Sequence, residues 1–392
     1  MSTNNIGFGL LGERLSHSYS AEIHPLLQKY DYTLFEVKPE DLESFILYGK
    51  WEGINVTIPY KKAIMPYLDY ISPIAENAGS VNTIVKTGGK LYGYNTDVFG
   101  FRAMLCFYDI DLRGKKVIIL GSGGAACGVH TAIKDIASEV IIISRTGGNS
   151  YNNIYRHYNA DIIINATPVG MYPNFDEGII DIEKFKRCEA YIDLIYNPLL
   201  TYTGAMAKYS GIKAIGGLYM LVAQALKSGE LFCNEPICNR ENIDRIYNML
   251  LHRKQNIVLI GMPGVGKTTY GKKLAEQSGR EFVDTDGEFY KAFGIAAGEY
   301  ITKYGELSFR DKEGEIIRSL SHKTGCVIAT GGGVVLREEN YFNLKQNGKI
   351  VYLKRDISSL DTANRPLSAD LKGLYRLRAP LYEKFADEVV EL

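Results

Sequence analysis

The sequence has few cysteines and prolines for its length, and it carries no excess charge of either sign. Six cysteines and 12 prolines occur among 392 residues, and 45 Lys and Arg residues balance 45 Asp and Glu residues. This balance gives no reason to expect a nucleic-acid-binding or anionic-membrane surface. No cysteine belongs to a CxxC pair or lies near histidine at zinc-ligand spacing, so we expect free thiols in a reducing compartment.

Long apolar segments are also missing. We see no basic N-terminal stretch followed by an apolar core, and therefore no signal peptide. No apolar run approaches the roughly 20 residues that cross a bilayer. These absences predict a cytoplasmic protein without a membrane partner. The sequence leaves the oligomeric state open between a monomer and a homodimer. At roughly 100–200 residues per domain, the length predicts two to three domains.

Short apolar segments alternate with helix-like segments along the chain, a pattern typical of an α/β fold with parallel or mixed sheets. Residues 24–29, 97–107 and 218–227 are among the segments predicted to be helical. The order strand, glycine-rich turn, helix occurs twice, the second time after residue 254. We therefore place one domain at 1–100, with 216–250 returning to it. A doubly wound nucleotide-binding domain follows at 101–215, and a third domain at 255–392.

The second glycine-rich turn, GMPGVGKT at 261–268, matches the phosphate-binding pattern GxxxxGK[ST]. It follows the apolar strand 257–260 and precedes a helix, so its backbone N–H groups can point at phosphate oxygens. Lys267 is predicted to reach the β- and γ-phosphates of ATP, and Thr268 to bind Mg²⁺. The predicted nucleotide-binding residues are Gly261, Gly264, Gly266, Lys267, Thr268 and Thr269.

Three later features indicate what accepts the phosphate. Asp284 and Asp286 follow an apolar pair and place two carboxylates near the phosphates, although a solvated turn would have the same residues. Arg310 and Glu313 share one face of a helix, so the arginine is predicted to be held ready for a carboxylate. The glycines at 331–333 follow the apolar strand 326–329 and allow close approach of a small ligand.

The motifs FVDTD, GELSFRDKE, TGGGVV, RPL and RAPLYEKFAD follow the P-loop in the order found in shikimate kinases, which residues 255–392 resemble. The resemblance implies that Asp286 deprotonates the 3-hydroxyl of shikimate and that Asp284 acts with Thr268 at Mg²⁺. It implies that Arg365 stabilises the transferring phosphoryl group. The residues implied to hold shikimate are Arg310, Gly331, Gly332, Gly333 and Arg378.

The first glycine-rich turn, GSGGAA at 121–126, fits a dinucleotide-binding GxGxxA pattern after the apolar strand 115–120. An NAD site would carry an acidic residue at the end of the next strand, where this sequence has Ser144, Arg145 and Thr146. An arginine there suits the 2′-phosphate of NADP, although Arg145 could also be a solvated surface charge.

Two charged residues are candidates for the chemistry of the first half. Reduction of a ketone needs a hydride donor and a proton donor, and a lysine beside an aspartate can supply the proton. Lys61 ends a strand, and Asp97 lies at the start of a helix. Without further context, each could equally be a surface charge.

Seven segments within residues 6–250 resemble shikimate dehydrogenase, in order: SHSYS, NVTIPYK, AGSVNT, NTD, GSGGAACG, NATPVGM and GLYMLVAQA. The resemblance implies a substrate-binding α/β domain and a Rossmann-type NADP domain, with Lys61 and Asp97 as the catalytic pair. The implied substrate-binding residues are Ser18, Ser20, Asn55, Thr57, Asn82 and Gln224. The implied NADP-binding residues are Gly121, Gly123, Gly124, Ala125, Ser144, Arg145, Thr146, Asn165, Thr167 and Gly217.

Taken together, the two resemblances predict consecutive reactions on one chain. The first half would reduce 3-dehydroshikimate to shikimate with NADPH, and the P-loop half would phosphorylate the 3-hydroxyl of shikimate with ATP and Mg²⁺. Two alternatives remain from the residues alone. One is a regulator that senses pathway intermediates, and the other is a quinate/shikimate dehydrogenase joined to a kinase half that only binds ligand.

Overall fold

The computed structural model describes residues 7–15, 18–174, 177–357, 360 and 371–392. The chain divides into two compact units. The first comprises Met1–Tyr172, Glu183–Tyr196 and Ile212–Met249, and the second comprises Pro173–Ile182, Asn197–Gly211 and Leu250–Leu392. No helix in the described ranges is long and apolar enough to span a membrane.

The first unit begins with a six-stranded mixed sheet. Its strands are β1 (Phe8–Gly12), β2 (Tyr32–Glu36), β3 (Gly53–Val56), β4 (Tyr70–Ile71), β5 (Thr83–Thr87) and β6 (Lys90–Tyr94), in the order β2-β1-β3-β5-β6-β4. The helices of this segment are α1 (Ser20–Ile23), α2 (Leu42–Tyr48), α3 (Pro73–Ala78) and α4 (Asp97–Phe107). Strand β3 is buried along its whole length, and a core containing Ile54, Trp51 and Ile84 packs around it.

A second sheet of five parallel strands follows. Its strands are β7 (Lys116–Leu120), β8 (Glu139–Ile143), β9 (Ile162–Asn165), β10 (Ala190–Asp193) and β11 (Lys213–Ile215), in the order β11-β10-β9-β7-β8. The helices are α5 (Gly124–Ile133), α6 (Tyr202–Tyr209), α7 (Leu218–Cys233) and α8 (Arg240–Lys254). The strand order reverses beside β7, the position at which open α/β sheets bind ligands at the carboxyl ends of their strands.

The second unit contains a third sheet, also of five parallel strands. Its strands are β12 (Asn256–Ile260), β13 (Glu281–Asp284), β14 (Cys326–Ala329), β15 (Gly348–Lys354) and β16 (Glu388–Glu391), in the order β13-β14-β12-β15-β16. Its helices are α9 (Lys267–Ser278), α10 (Thr285–Phe293), α11 (Ala297–Tyr304), α12 (Glu306–Leu320), α13 (Glu338–Lys345) and α14 (Leu371–Phe385). The predicted α/β class with parallel sheets is confirmed.

The elements differ from the sequence-based expectations in several details. The helix predicted at 24–29 is a 3₁₀ turn, His24–Leu27, with proline at its second position. Helix α7 runs six residues beyond the predicted end at Lys227, because Gly229 lets it pack tightly. A Cβ at Gly229 would lie 2.8 Å from both Leu27 and Tyr30.

The compact units also differ from the predicted domains. Residues 173–182 and 197–211 were expected in the nucleotide-binding domain 101–215, but they belong to the second unit. The physical reason is packing, because α6 contacts α13 more than any other element. Residues 1–100 and the β7–β11 sheet belong to the same compact unit, so a boundary near residue 100 stays a prediction.

Candidate active sites

The first unit contains a cavity of about 160 Å³. Lys61, Asp97 and all six predicted substrate-binding residues line it. Its lining residues are Leu10, Ser18, Ser20, Asn55, Val56, Thr57, Lys61, Asn82, Asp97, Ala125, Leu194, Tyr196, Gly217, Met220, Leu221 and Gln224. The fold therefore brings together residues that are separated by more than 200 positions in the sequence.

Lys61 and Asp97 form an ion pair inside this cavity. Lys61 Nζ lies 2.6 Å from Asp97 Oδ2, and the side chains are only 17% and 8% exposed. Asp97 is the first residue of α4, and its Oδ1 accepts a hydrogen bond of 2.9 Å from Asn82 Nδ2. The carboxylate thus has a fixed orientation, and the ammonium is held where it can give a proton to a bound carbonyl oxygen.

Asn55 lines the cavity, but its amide is engaged by the protein. Its Oδ1 accepts from Tyr32 Oη at 2.8 Å, and its Nδ2 donates to Ser228 Oγ at 2.7 Å and to Thr83 Oγ1 at 3.1 Å. Ser228 is fully buried and also lies 3.1 Å from Thr96 Oγ1. Asn55 therefore supports the cavity wall, and its direct contact with substrate stays a prediction.

Sequence reasoning did not identify Ser228, Thr96 or Tyr196 as part of this site. Ser228 lies four residues after Gln224 on α7, hence on the same helical face, a spacing that could have indicated it. Thr96 bonds Asn82 Oδ1 through its backbone N–H at 2.8 Å and through its hydroxyl at 3.2 Å. Tyr196 lines the cavity directly after β10 and has no short-range signal in the sequence.

The turn after β7 has the shape of a dinucleotide cradle. Gly121 has φ +106°, and a Cβ there would lie 2.9 Å from Thr167 and 3.1 Å from the carbonyl of Ala166. Helix α5 begins at Gly124, so its first N–H groups face the turn. Asn165 Oδ1 accepts hydrogen bonds from the Thr167 N–H at 3.0 Å and from the Thr167 hydroxyl at 2.7 Å. The backbone around Gly121 and the first turn of α5 fit a pyrophosphate.

The remaining NADP candidates lie at strand ends of the same sheet. Ser144, Arg145 and Thr146 follow β8 directly, and Arg145 is exposed. Burial raises the pKa of Tyr151, and the positive charge of Arg145 opposes that rise. Arg145 therefore lies in the neighbourhood of the Tyr151 ring. Gly217 precedes α7, where a Cβ would lie 2.2 Å from the carbonyl of Leu194.

The P-loop of the second unit joins β12 to α9. Gly261, Gly264 and Gly266 have φ values of +145°, +82° and +101°, which residues other than glycine rarely adopt. Lys267 is buried, and its Nζ donates to the carbonyls of Gly261 at 2.8 Å and Met262 at 2.9 Å. The loop therefore wraps around a buried cation, an arrangement that fits a polyphosphate.

The predicted metal residues meet beside this loop. Thr268 Oγ1 donates to Asp284 Oδ2 at 2.9 Å, and Asp284 Oδ1 caps α10 by accepting from the Asp286 N–H at 3.0 Å. A hydroxyl and a carboxylate at one point are oxygen ligands of the kind that Mg²⁺ takes. Thr269, the last predicted nucleotide-binding residue, is exposed at the start of α9.

Arg310 is held as a clamp on α12. Its Nη1 donates to Glu313 Oε2 at 2.7 Å and its Nη2 to Glu306 Oε1 at 2.8 Å. Burial raises the pKa of the Glu313 carboxyl, and the charge of Arg310 opposes that rise. The guanidinium lies against Gly333, where a Cβ would be 2.2 Å from Arg310 Cζ.

The three glycines after β14 allow several groups to converge. A Cβ at Gly331 would lie 2.7 Å from Glu313 and 3.6 Å from Asp286, and one at Gly332 would lie 2.7 Å from Pro263 of the P-loop. The structure thus brings the glycines, the P-loop, Asp286 and the arginine clamp to one place.

Arg378 and an unpredicted tyrosine complete this arrangement. Arg378 Nη1 donates to the Gly332 carbonyl at 3.1 Å, and Tyr382 Oη donates to the same oxygen. Both side chains are buried on α14, one helical turn apart. Arg365, the predicted phosphoryl-stabilising residue, lies outside the described residues.

Comparison with known proteins agrees with this geometry. A family model for the shikimate dehydrogenase substrate binding domain matches residues 10–84, and one for shikimate kinase matches residues 263–391. The NADP(+) shikimate dehydrogenase of Clostridium beijerinckii is 42% identical over 246 residues, which cover 57% of this chain and 91% of that protein. Its counterpart in Methanocaldococcus jannaschii is 40% identical over 247 residues, covering 55% and 87%.

Solved structures give the same result. Shikimate dehydrogenase 1 from Peptoclostridium difficile superposes with a TM-score of 0.58 at 40% identity, covering 62% of this chain and 97% of that one. A chorismate mutase/shikimate 5-dehydrogenase fusion protein from Clostridium acetobutylicum also gives 0.58, at 38% identity, covering 63% and 97%. The chain therefore belongs to the shikimate dehydrogenase family, and residues 263–391 form a shikimate kinase domain joined to it.

Proposed function

We propose that this chain catalyses two consecutive reactions, the NADPH-dependent reduction of 3-dehydroshikimate to shikimate and the ATP-dependent phosphorylation of shikimate to shikimate 3-phosphate. The observation that carries the proposal is that one chain holds both a buried Lys61–Asp97 pair in a polar cavity and a P-loop beside a buried Arg310 clamp. Each arrangement suits one of the two reactions.

In the first reaction Lys61 gives a proton to the ketone oxygen, and Asp97 holds the ammonium in position. The bound dinucleotide supplies the hydride. Polar groups around the cavity fix the carboxylate and hydroxyls of the substrate, which sets the face of the ring that accepts the hydride. These groups are Ser18, Ser20, Thr57, Asn82 and Gln224, with Asn55 behind them.

Residues of the β7–β11 sheet hold the dinucleotide in this proposal. The cradle around Gly121 takes the pyrophosphate, because bare backbone and the first turn of α5 offer N–H groups to it. Arg145, with Ser144 and Thr146, takes the adenosine 2′-phosphate, which makes NADP(H) the preferred dinucleotide. Asn165, Thr167 and Gly217 line the nicotinamide end.

In the second reaction the 3-hydroxyl oxygen of shikimate attacks the γ-phosphorus of ATP, its proton passes to Asp286, and ADP leaves. Lys267 and the P-loop N–H groups balance phosphate charge, and Thr268 with Asp284 holds Mg²⁺. Arg310 and Arg378 bind the shikimate carboxylate against the glycines at 331–333. Arg365 is proposed to stabilise the transferring group.

Stoichiometry tests the proposal. With excess NADPH, ATP and Mg²⁺, each 3-dehydroshikimate supplied should lead to one NADPH oxidised and one ATP converted to ADP. Consumption of NADPH without ATP would support a dehydrogenase joined to a binding-only kinase half. Consumption of neither would support a pathway-sensing regulator, and activity on quinate would widen the dehydrogenase substrate range.

A further inference from the structure

A segment of the dehydrogenase sequence is built into the second unit. The chain leaves the first unit after Tyr196 and returns at Ile212, and residues 197–211 between them belong to the unit that holds the kinase domain. Tyr196 before the segment and Gly217 soon after it both line the cavity of Lys61 and Asp97. The segment therefore connects two parts of the dehydrogenase site through the other unit.

Backbone hydrogen bonds anchor the start of this segment. The N–H of Leu200 donates to the carbonyl of Gln346 at 2.8 Å, and the N–H of Leu199 donates to Asn347 Oδ1 at 3.0 Å. Asn347 is buried, and its Nδ2 donates to the Ser321 carbonyl at 2.9 Å. Such bonds fix the register of the segment along residues 346–347.

Aromatic rings then pack α6 against α13 and α14. The ring of Tyr209 lies 5.0 Å from that of Tyr341 and 6.1 Å from that of Phe385, and Tyr202 meets Phe342 edge-on at 5.3 Å. Tyr341, Phe342 and Phe385 are at most 9% exposed. Helix α6 helps to cover apolar rings that a kinase domain alone would expose to water.

The partly buried carboxylate of Asp387 contacts both α6 and the rest of the second unit. Asp387 Oδ2 accepts hydrogen bonds from Lys345 Nζ and, at 2.8 Å, from the Ile350 N–H. Asp387 Oδ1 lies 2.9 Å from Nζ of Lys208 on α6. Burial lowers the pKa of Lys345 to about 8. Burial would raise the pKa of Asp387, but the charge and hydrogen bond of Lys345, the bond from Ile350 and the charge of Lys208 lower it.

We propose that residues 197–211 fold cooperatively with residues 250–392 and carry changes in that body to the dehydrogenase cavity through Tyr196 and Gly217. The surface formed by Tyr341, Phe342, Phe385 and the Asp387 carboxylate is thus a docking site whose partner is α6 of the same chain. Three kinds of contact, namely backbone, aromatic and ionic, act on the one short segment 197–211, so the segment loses them together when residues 250–392 unfold.

Native-state hydrogen exchange on the full chain tests the folding part of this inference without any variant. As urea is raised below the unfolding midpoint, amides of 197–211, including that of Leu200, should lose protection together with those of β12 and β15. Loss of protection together with β9 and β10 instead would overturn the inference, because the segment would then belong energetically to the dehydrogenase sheet.

A matched pair of substitutions tests the coupling. Asp387→Asn removes the charge shared by Lys345 and Lys208, whereas Glu388→Gln alters the exposed ion pair with Lys349 one residue later. Asp387→Asn should raise the dehydrogenase KM at least threefold, while Glu388→Gln leaves it unchanged. Equal KM values in both variants would overturn the coupling.

Two further measurements separate the possible failures. Lys208→Met changes a half-exposed side chain and should raise the same KM above that of the unaltered protein, so it tests the coupling even if Asp387→Asn does not fold. An unchanged KM in Lys208→Met would then overturn the coupling. The kinetic arm rests on the proposed dehydrogenase activity. Lack of that activity in the unaltered protein would refute the proposed function, whereas the exchange pattern would still decide the inference.

Discussion

The lysines of the two candidate sites, Lys61 and Lys267, have different surroundings. Lys61 faces the carboxylate of Asp97 at 2.6 Å, whereas Lys267 bonds the neutral carbonyls of Gly261 and Met262. The first lysine is paired with a carboxylate in a polar cavity, which suits acid–base chemistry. The second lies among the backbone carbonyls of a glycine-rich loop, an arrangement that suits phosphate binding. The partner of a lysine thus indicates its chemistry better than its burial does.

Removing each lysine is the strongest test of this contrast. Lys61→Ala should slow ketone reduction by about 10³-fold, because the proton donor is lost, and should leave phosphoryl transfer unchanged. Lys267→Ala should do the reverse, also by about 10³-fold, through loss of charge stabilisation. Separate assays of the two half-reactions measure this. The exposed neighbours Lys62 and Lys273, changed to Ala, serve as controls, and loss of both activities in either variant would contradict the assignment.

A smaller loss of activity is expected from adding a methyl group beside Arg310 in the second site. The Cβ of Gly333→Ala would lie 2.2 Å from the Arg310 guanidinium, which can swing away without unfolding the domain. Because the clamp moves by about an ångström, kcat/KM for shikimate should fall about 100-fold. Gly314→Ala on α12 meets nothing closer than 3.7 Å and should be silent. An unchanged KM for Gly333→Ala would remove Arg310 from the acceptor site.

The uncharged network behind the first site predicts a milder change. Ser228→Ala leaves the Asn55 amide without its 2.7 Å partner, at a cost of about 1–3 kcal/mol in unfolding free energy. The KM for 3-dehydroshikimate should rise several-fold, with phosphoryl transfer unaffected. Urea unfolding and steady-state kinetics check both parts, with Ser138→Ala on the surface as control. A stability loss without a change in KM would make Ser228 purely structural.

The last prediction concerns pH and stability, and no change in either activity at neutral pH is expected from it. His24 is fully buried beside Tyr30 and stacks on Tyr32, and burial lowers the pKa of His24 to about 3. The unfolded chain binds a proton near pH 6.5, so it holds more protons than the folded chain between about pH 6.5 and 3. The first unit should therefore lose stability as pH falls through that window, by up to about 1.4 kcal/mol per pH unit.

The single tryptophan, Trp51, is buried in the first unit, so its fluorescence reports the unfolding of that unit. His24→Phe should flatten the pH dependence of the urea midpoint, whereas His252→Gln, an exposed histidine, should not. Equal slopes in both variants would exclude His24 as the titrating group.

The sequence was sufficient to predict those parts of each site that depend on residues close together in the chain. The continuous apolar strands before Gly121 and Gly261 and the helices after them follow from short-range pattern alone, and α4 has the predicted bounds, Asp97–Phe107. Residues such as Tyr382 escaped prediction because their partners lie far away in the sequence. The Tyr382 hydroxyl bonds the Gly332 carbonyl across 50 positions, a distance that no periodicity encodes.

The membership of α6 escaped prediction for a related reason. Thr201 caps its first turn, a local contact, but the surface on which the helix packs depends on Tyr341 and Phe385, more than 100 positions later. Helix propensity can predict that a helix forms, but it cannot predict which surface the helix packs against.

The packing of α6 has a practical side for anyone who wishes to study the two activities apart. A gene cut at codon 254, where the second strand–turn–helix pattern begins, would yield a kinase fragment without the helix that meets Tyr341, Phe342 and Asp387. In such a fragment the aromatic rings would be exposed to solvent and Asp387 would lack its contact with Lys208. We expect the exposed rings to lower the solubility of the fragment on expression.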